Sequence, residues 1–341
     1  MSGSSRKARV LIDSAGTATC QSVMKGLRNQ DEIEVEILAA DSSPLNAGRH
    51  LADQWIEVPR VDDPRYPGAL LDLVRRMEVN LFVPIFDTQF PWLAGARGRF
   101  EALGCQVAVS PLEAVRIANE KDRTSAFFSE HGFQTPRLVS PEAARAGDCR
   151  FPLILKPLAG RATIGVERLR NPGEVEIFLS RATEKVILQE VAGGREFTVD
   201  VLCDLKGEPL AVVPRERIET KAGVSTKGRT FRHAGIVSEV VRMARLLGIR
   251  GPANVQGFLQ EDGSVQWIEI NPRFSGTLVL TIASGVNAPL LLLRCALGET
   301  VAPRLGEYRE VTMMRYWAEV FLDEEGCLMA SPSLASSVAP R

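Results

Sequence analysis

The stretch Asn254-Val255-Gln256-Gly257-Phe258-Leu259-Gln260-Glu261-Asp262-Gly263-Ser264-Val265-Gln266-Trp267-Ile268-Glu269-Ile270-Asn271-Pro272-Arg273-Phe274-Ser275 is the most informative in the chain. Two strand-like runs flank Asp262-Gly263, a strong two-residue hairpin turn signal. Such a turn pairs Glu261 with Ser264 and therefore Gln256 with Glu269. Side chains alternate along a strand, so Asn271 shares the face of Glu269. Directly opposed Cβ atoms lie about 5 Å apart, which makes Gln256, Glu269 and Asn271 a compact set of oxygen donors. Oxygen-only ligands suit a hard cation such as Mg2+, which takes few protein ligands and some phosphate oxygens. Arg273, two residues beyond Asn271, can hold a transferring phosphoryl group bidentately. The alternative is a solvated polar hairpin face, because charged groups mostly sit at surfaces. The register also depends on the turn: a three-residue loop would send Gln256 to the opposite face.

Upstream, Lys156 ends the apolar run Phe151-Pro152-Leu153-Ile154-Leu155, and small residues follow from Ala159 to Gly165. Small residues let backbone N–H groups approach an anion closely, and a strand-end lysine adds a point charge against phosphate. An ordinary hairpin loop with a solvated lysine explains the same residues. The order Gly-Lys-Ser/Thr is missing, so this is not a Walker A loop. Lys121, in Glu120-Lys121-Asp122-Arg123, reads by itself as a helix-surface charge. Gln189-Glu190-Val191-Ala192 ends a strand, and Gly193-Gly194-Arg195-Glu196 turns into the next. Its exposed backbone groups and carboxylates suit an adenine and a ribose, and equally a plain β-connection.

The whole chain of 341 residues has ordinary globular composition, 45% apolar and 24% charged, with a net charge of −1. At roughly 150 residues per domain the length predicts two to three domains. A near-neutral chain has no global pull toward nucleic acid or anionic membrane. The six cysteines are scattered without a CxxC pair and read as buried thiols of a reducing compartment. His50, His131 and His233 are far apart, which argues against a histidine metal site. The start lacks a signal-peptide core, and Arg294 interrupts the run Leu290–Leu293, so a cytoplasmic protein with no membrane span is expected.

The first 110 residues alternate strands (Arg9–Ile12, Ile33–Leu38, Leu81–Phe86, Gln106–Val109) with helices (Thr17–Asn29, Gly68–Met77, Thr88–Leu103). That rhythm predicts an open, mostly parallel sheet covered on both faces. After Arg137 the texture becomes mixed α+β, with strands at Phe151–Lys156, Val186–Glu190, Phe197–Leu202 and Leu210–Val213. A helix is expected at Ser238–Leu247, a long one at Ile282–Leu297, a final strand at Val311–Phe321, and a mobile tail from Ser331.

Taken together, in this order, these residues resemble the ATP-grasp superfamily, most of all its carbamoyl-phosphate-synthase-like branch, which includes small amino-acid ligases. Asn254-Val255-Gln256 with Ile268 to Ser275 is the most specific part. Phe151 to Pro157, Glu190 and Glu196 add support. The resemblance implies an α/β and α+β protein: an N-terminal Rossmann-like (pre-ATP-grasp) domain over 1–110 and a two-lobed ATP-grasp domain. The small lobe with its lid loop would span 111–190, the large lobe with the metal site 191–300, and a C-terminal strand and tail 301–341. It implies that Lys121 and Lys156 contact ATP phosphates, and that Thr163, Ile164 and Gly165 belong to the lid. Glu190 and Val191 would border the adenine and Glu196 the ribose. Gln256, Glu269 and Asn271 would bind Mg2+, with Mn2+ as a substitute, and Arg273 would steady the γ-phosphoryl group and an acyl phosphate.

The activity so implied is ATP-dependent joining of a small-molecule carboxylate and an amine through an acyl phosphate, with a homodimer as a common assembly. The runner-up is phosphorylation of carbamate or another small carboxylate without an amine acceptor. A nicotinamide enzyme is a third reading, but Asp13-Ser14-Ala15-Gly16-Thr17 after the first strand lacks GxGxxG. A non-catalytic nucleotide-binding module is a fourth, and the intact Glu269-x-Asn271-x-Arg273 series speaks against it. Asp87, Arg215, Arg217, Arg229, Arg232 and Ser275 are candidates for the substrate pocket. Arg315 reads as structural. Ala159–Gly165 and Glu219–Phe231 are the candidate lids. The chain departs from the family pattern in holding one ATP-grasp unit. It also has Ser225 near a position where the synthases often place histidine, and Gln89 where relatives often carry an acid.

Overall fold

A computed structural model describes residues 7–158 and 165–329. Three sheets organise them. The first holds β1 (Ala8–Ile12), β2 (Val35–Asp41), β3 (Gln54–Glu57), β4 (Leu81–Val83) and β5 (Gln106–Val107), all parallel, in the order β3-β2-β1-β4-β5. Helices Ala18–Arg28, Tyr66–Arg76 and Phe90–Glu101 make the crossovers. Val10 and Ile12 point into one core and Leu11 into the other, so both faces are dry. The edge strand β3 escapes a pattern reading because it is four residues long and only partly buried. Strand order reverses between β1 and β4, which opens a crevice beyond their carboxyl ends, the usual ligand position in such sheets.

The second sheet is antiparallel: β6 (Leu138–Val139), β7 (Leu153–Pro157), β8 (Glu167–Leu169) and β9 (Val186–Glu190), ordered β6-β9-β7-β8. The third, also antiparallel, holds β10 (Arg195–Cys203), β11 (Pro209–Lys221), β12 (Val224–Thr230), β13 (Gly251–Leu259), β14 (Val265–Asn271) and β15 (Thr312–Met314) in the order β14-β13-β10-β11-β12-β15. Its two faces differ in character. Phe197, Val199, Val201, Val255, Trp267 and Ile270 form an apolar face packed against helix Ala234–Leu247. On the other face Thr198 lies opposite both Arg215 and Gln256, and Asp200 opposite Asn254. The alternation that dries one face therefore concentrates polar groups on the other.

The β13–β14 hairpin differs from the sequence expectation in its turn. Its loop has three residues, Glu261, Asp262 and Gly263, closed by the Gln260 N–H donating to the Ser264 carbonyl at 2.9 Å, with Gly263 at φ 84°. Leu259 therefore faces Val265 and Gly257 faces Trp267, one residue out of the expected register. A bulge then inserts Ile268, and Gln256 faces Glu269 after all. Two one-residue slips cancel. Gly257 permits the close approach at the bulge: a Cβ there would meet the Gln266 carbonyl oxygen at 2.9 Å and the Phe197 and Trp267 rings at 3.1 Å. Gly257→Ala is expected to destabilise the fold by about 1–3 kcal/mol, read as a lower urea midpoint at unchanged slope.

Three other expectations are corrected. Residues 219–231 are not a loop: β11 runs to Lys221, turns at Ala222-Gly223, and returns as β12, because alternating side chains pair across the hairpin. The long helix expected at Ile282–Leu297 is two, Leu278–Ala283 and Ala288–Ala296. Gly285 at φ 104° breaks it, and Asn287 caps the second helix at the Leu290 N–H with Pro289 in its first turn. The final strand is three residues long and pairs with β12 alone. The expected tail beyond Ser331 lies outside the described residues. Cys20, Cys105 and Cys203 are buried thiols as expected, whereas Cys327 is exposed.

Candidate active site

A cavity of about 600 Å³ lies where the three sheets meet. Nine of the expected site residues line it: Lys121, Lys156, Glu190, Val191, Glu196, Gln256, Glu269, Asn271 and Arg273. They come from a helix start, three strand ends, two paired strands and the segment after β14, so only tertiary structure joins them. Gly165 is not among the lining residues; it sits at φ 71° against Pro157. Thr163 and Ile164 lie outside the described residues.

Glu269 is the electrostatic centre. Its carboxylate acts on Lys121, Lys156 and Arg217. Burial pushes the Lys156 ammonium down to about 8, with Glu269 opposing that shift and Lys121 adding to it. Burial also lowers Lys121, again against the pull of Glu269. Lys156 is held by its Nζ donating to Gln189 Oε1 at 2.8 Å, and Gln189 in turn donates to the Pro136 carbonyl at 2.9 Å. Gln189 is a buried polar residue of β9 that the sequence reading did not single out. Its signal is a glutamine inside an otherwise apolar strand, beside Glu190.

Gln256 and Glu269 face each other across the hairpin, and Asn271 faces Asn254. Asn271 Nδ2 donates to Asn254 Oδ1 at 3.3 Å, and Asn254 Nδ2 donates to the Arg273 carbonyl at 3.0 Å. Both amides are thereby oriented, and the side-chain Oδ1 of Asn271 is left for the cavity. Among the described residues no three His, Cys, Asp or Glu side chains cluster as a self-sufficient metal site. One carboxylate and two amide oxygens fit a hard cation that completes its shell with phosphate oxygens, so the donor set suits Mg2+.

The parallel sheet supplies the cavity's far wall. Asp87, just beyond β4, accepts from Arg273 Nε at 2.7 Å across 186 positions of chain. Behind it, Asp13 at the end of β1 accepts from the Ile85 N–H at 2.7 Å and from Gln89 Nε2, and Tyr66 donates to Gln89 Oε1 at 2.8 Å. Burial raises the Asp13 carboxyl to about 7. Gln89 is thus an internal brace rather than a cavity residue. Glu196 pairs with Arg217 at 2.8 Å, and Arg215 pairs with Asp200 at 2.7 Å and donates to Ser275 Oγ at 2.9 Å. Arg229 and Arg232 do not line the cavity. Arg229 binds Glu216 on the opposite side of the sheet, and Arg232 binds the Gly306 and Tyr308 carbonyls. The hairpin at 219–231 reaches the cavity only through its tip, Ala222 to Val224.

Residues 182–320 match a family model described as "ATP-grasp in the biosynthetic pathway with Ter operon", and residues 10–108 match "PylC-like, N-terminal domain". A D-alanine–D-alanine ligase of Nitrosospira multiformis is 27% identical over 199 residues, 51% of this chain and 63% of the ligase. A carbamoyl phosphate synthase large chain of Methanosphaerula palustris is 23% identical over 318 residues, 84% of this chain and 28% of that one. The chain therefore spans less than two thirds of either relative. The fold is shared with the biotin carboxylase domain of the Hydrogenobacter thermophilus 2-oxoglutarate carboxylase, solved with MgADP and bicarbonate. The TM-score is 0.70 at 17% identity, covering 88% of this chain and 72% of that one. Among the described residues no helix is long and apolar enough to cross a membrane. The matches thus assign an ATP-grasp family domain to residues 182–320 and a PylC-like N-terminal domain to residues 10–108.

Proposed function

We propose that the protein is an ATP-dependent carboxylate–amine ligase that works through an acyl phosphate and releases ADP and phosphate. The observation that carries this reading is the Glu269 carboxylate, coupled to Lys121 and Lys156 inside one cavity and flanked by the amides of Gln256 and Asn271. Two half-buried ammonium groups beside an oxygen donor set match a polyphosphate and its cation. They do not match a nicotinamide site.

A carboxylate is a poor electrophile because it is anionic and oxide is a bad leaving group. In the first step a substrate carboxylate oxygen bonds to the γ-phosphorus while the bond to the β–γ bridging oxygen breaks and ADP leaves. In the second the amine nitrogen bonds to the acyl carbon, the carbon–oxygen bond breaks, and phosphate leaves as the nitrogen gives up its proton. Lys156 and Lys121 hold the transferring charge, and Gln189 fixes Lys156 in place. Arg273, steadied by Asp87, faces the growing charge on the acyl phosphate. Gln256, Glu269 and Asn271 would hold Mg2+, which would supply neutralisation of polyphosphate charge. The work is positioning and electrostatics, with no nucleophilic side chain. In this reading the N-terminal domain would wall the substrate end, and the two ATP-grasp lobes would enclose the nucleotide.

ADP release with MgATP across a matrix of carboxylate and amine pairs tests the reading. At least one pair is expected to raise release tenfold or more over ATP alone. Release that needs a carboxylate but no amine would favour the carbamate-type reaction instead. ATP binding with no stimulation by any pair would overturn the ligase reading.

A further inference from the structure

Beyond the phosphate end, the cavity holds an arginine whose bonding is incomplete. Arg215, on β11, has a side chain only 2% exposed. Its Nη2 holds Asp200 and Ser275. Its Nε is buried without a hydrogen-bond partner among the described residues. Buried donors in native proteins are nearly always satisfied, and a buried guanidinium with unmade bonds is costly. Arg215 nevertheless borders the cavity, where a ligand can complete it.

The surrounding charge points to the ligand's chemistry. Arg315 stands close enough to Arg215 for the two cations to repel. It donates to the Gly276 carbonyl, and its Nε is buried and unpaired. Arg217 is balanced by Glu196 and drawn also by Glu269, and Arg215 is balanced by Asp200. Arg315, behind the cavity lining, has Arg215 as its charged neighbour and no carboxylate acting on it among the described residues, so it adds one positive charge behind Arg215. A single negative charge neutralises it, whereas a phosphate dianion overshoots. Position separates this charge from the reaction centre: Asn271, Arg273 and Ser275 follow one another at two-residue steps, and Arg215 is bonded to the last of them.

We propose that Arg215, backed by Arg315, forms a subsite for a carboxylate that the reaction leaves intact, so that one substrate carries an anionic group besides the reacting one. This deepens the ligase reading and rests on it for the word substrate; the anion site itself does not depend on turnover.

The test is thermal unfolding of the full chain with succinate, glutarate, monomethyl glutarate or inorganic phosphate, each with a parallel MgATP titration. Succinate or glutarate is expected to raise Tm in the wild type. Arg215→Lys should weaken that binding at least tenfold while leaving the MgATP shift in place, which also reports that the variant folds. Asp200→Asn, which adds one net positive charge here, should move the preference toward phosphate. The proposal is overturned if neither dicarboxylate shifts Tm, if phosphate does so equally well in the wild type, or if the dicarboxylate shift survives Arg215→Lys; the monoester, which keeps one free carboxylate, is expected to bind and to lose its shift in the same variant. A dicarboxylate shift without any MgATP shift would keep the anion site and remove the ligase reading.

Discussion

Glu269→Ala is expected to cut MgATP-dependent ADP release by roughly a thousandfold or more, the scale of removing a preorganised charge from an active site. Two effects act together. Glu269 is the only carboxylate of the Gln256–Glu269–Asn271 set, so the charge that would hold the cation disappears. It is also the group that keeps Lys156 and Lys121 from shifting further down on burial. The Lys156 ammonium should then lose its proton below pH 8, and the alkaline limb of the rate profile should move to lower pH. Steady-state kinetics from pH 6 to 9 check both. Turnover within tenfold of wild type would remove Glu269 from the proposed metal set.

Lys156→Met is expected to lower kcat/KM for ATP by a hundredfold or more, since a half-buried positive charge that would face phosphate is lost. The wild type should show the same loss gradually. With Lys156 at about 8, ATP binding weakens as pH rises through that value, because the neutral amine no longer offsets phosphate charge. Stability runs the other way. The unfolded chain keeps this lysine protonated to about 10.5, so between pH 8 and 10.5 it binds more protons than the folded one. This group's contribution to stability therefore rises with pH across that window. Opposite slopes of ATP affinity and unfolding free energy, both flattened in Lys156→Met, are the expected signature. A wild-type ATP affinity flat from pH 7 to 9.5 would refute the role of Lys156.

The cavity joins two kinds of architecture. The parallel sheet contributes the crevice at its strand-order reversal, where Asp87 sits, and the antiparallel sheet contributes a polar face built by alternation. The Arg273–Asp87 pair ties them together. An ion pair so placed fixes where the reacting end of the cavity lies relative to both walls.

Much of this was legible in residue order alone, because periodicity is a local property. The βαβ rhythm from Arg9 to Val109 and the alternation around Gln256 and Glu269 need only the geometry of a strand or a helix to be read. The chemistry of the oxygen donors needs only their residue types. What distant partners impose could not be read that way. The bulge at Ile268 that cancels the three-residue turn is packed at Gly257 against the Phe197 ring, 60 positions away. The break at Gly285 and the turn that makes residues 219–231 a hairpin are local backbone geometry that the apolar pattern does not encode. The sorting of the arginines does depend on distant partners. Arg215 and Arg217 entered the cavity and Arg229 and Arg232 did not, because sheet register and backbone acceptors on other elements decided which way each guanidinium was drawn.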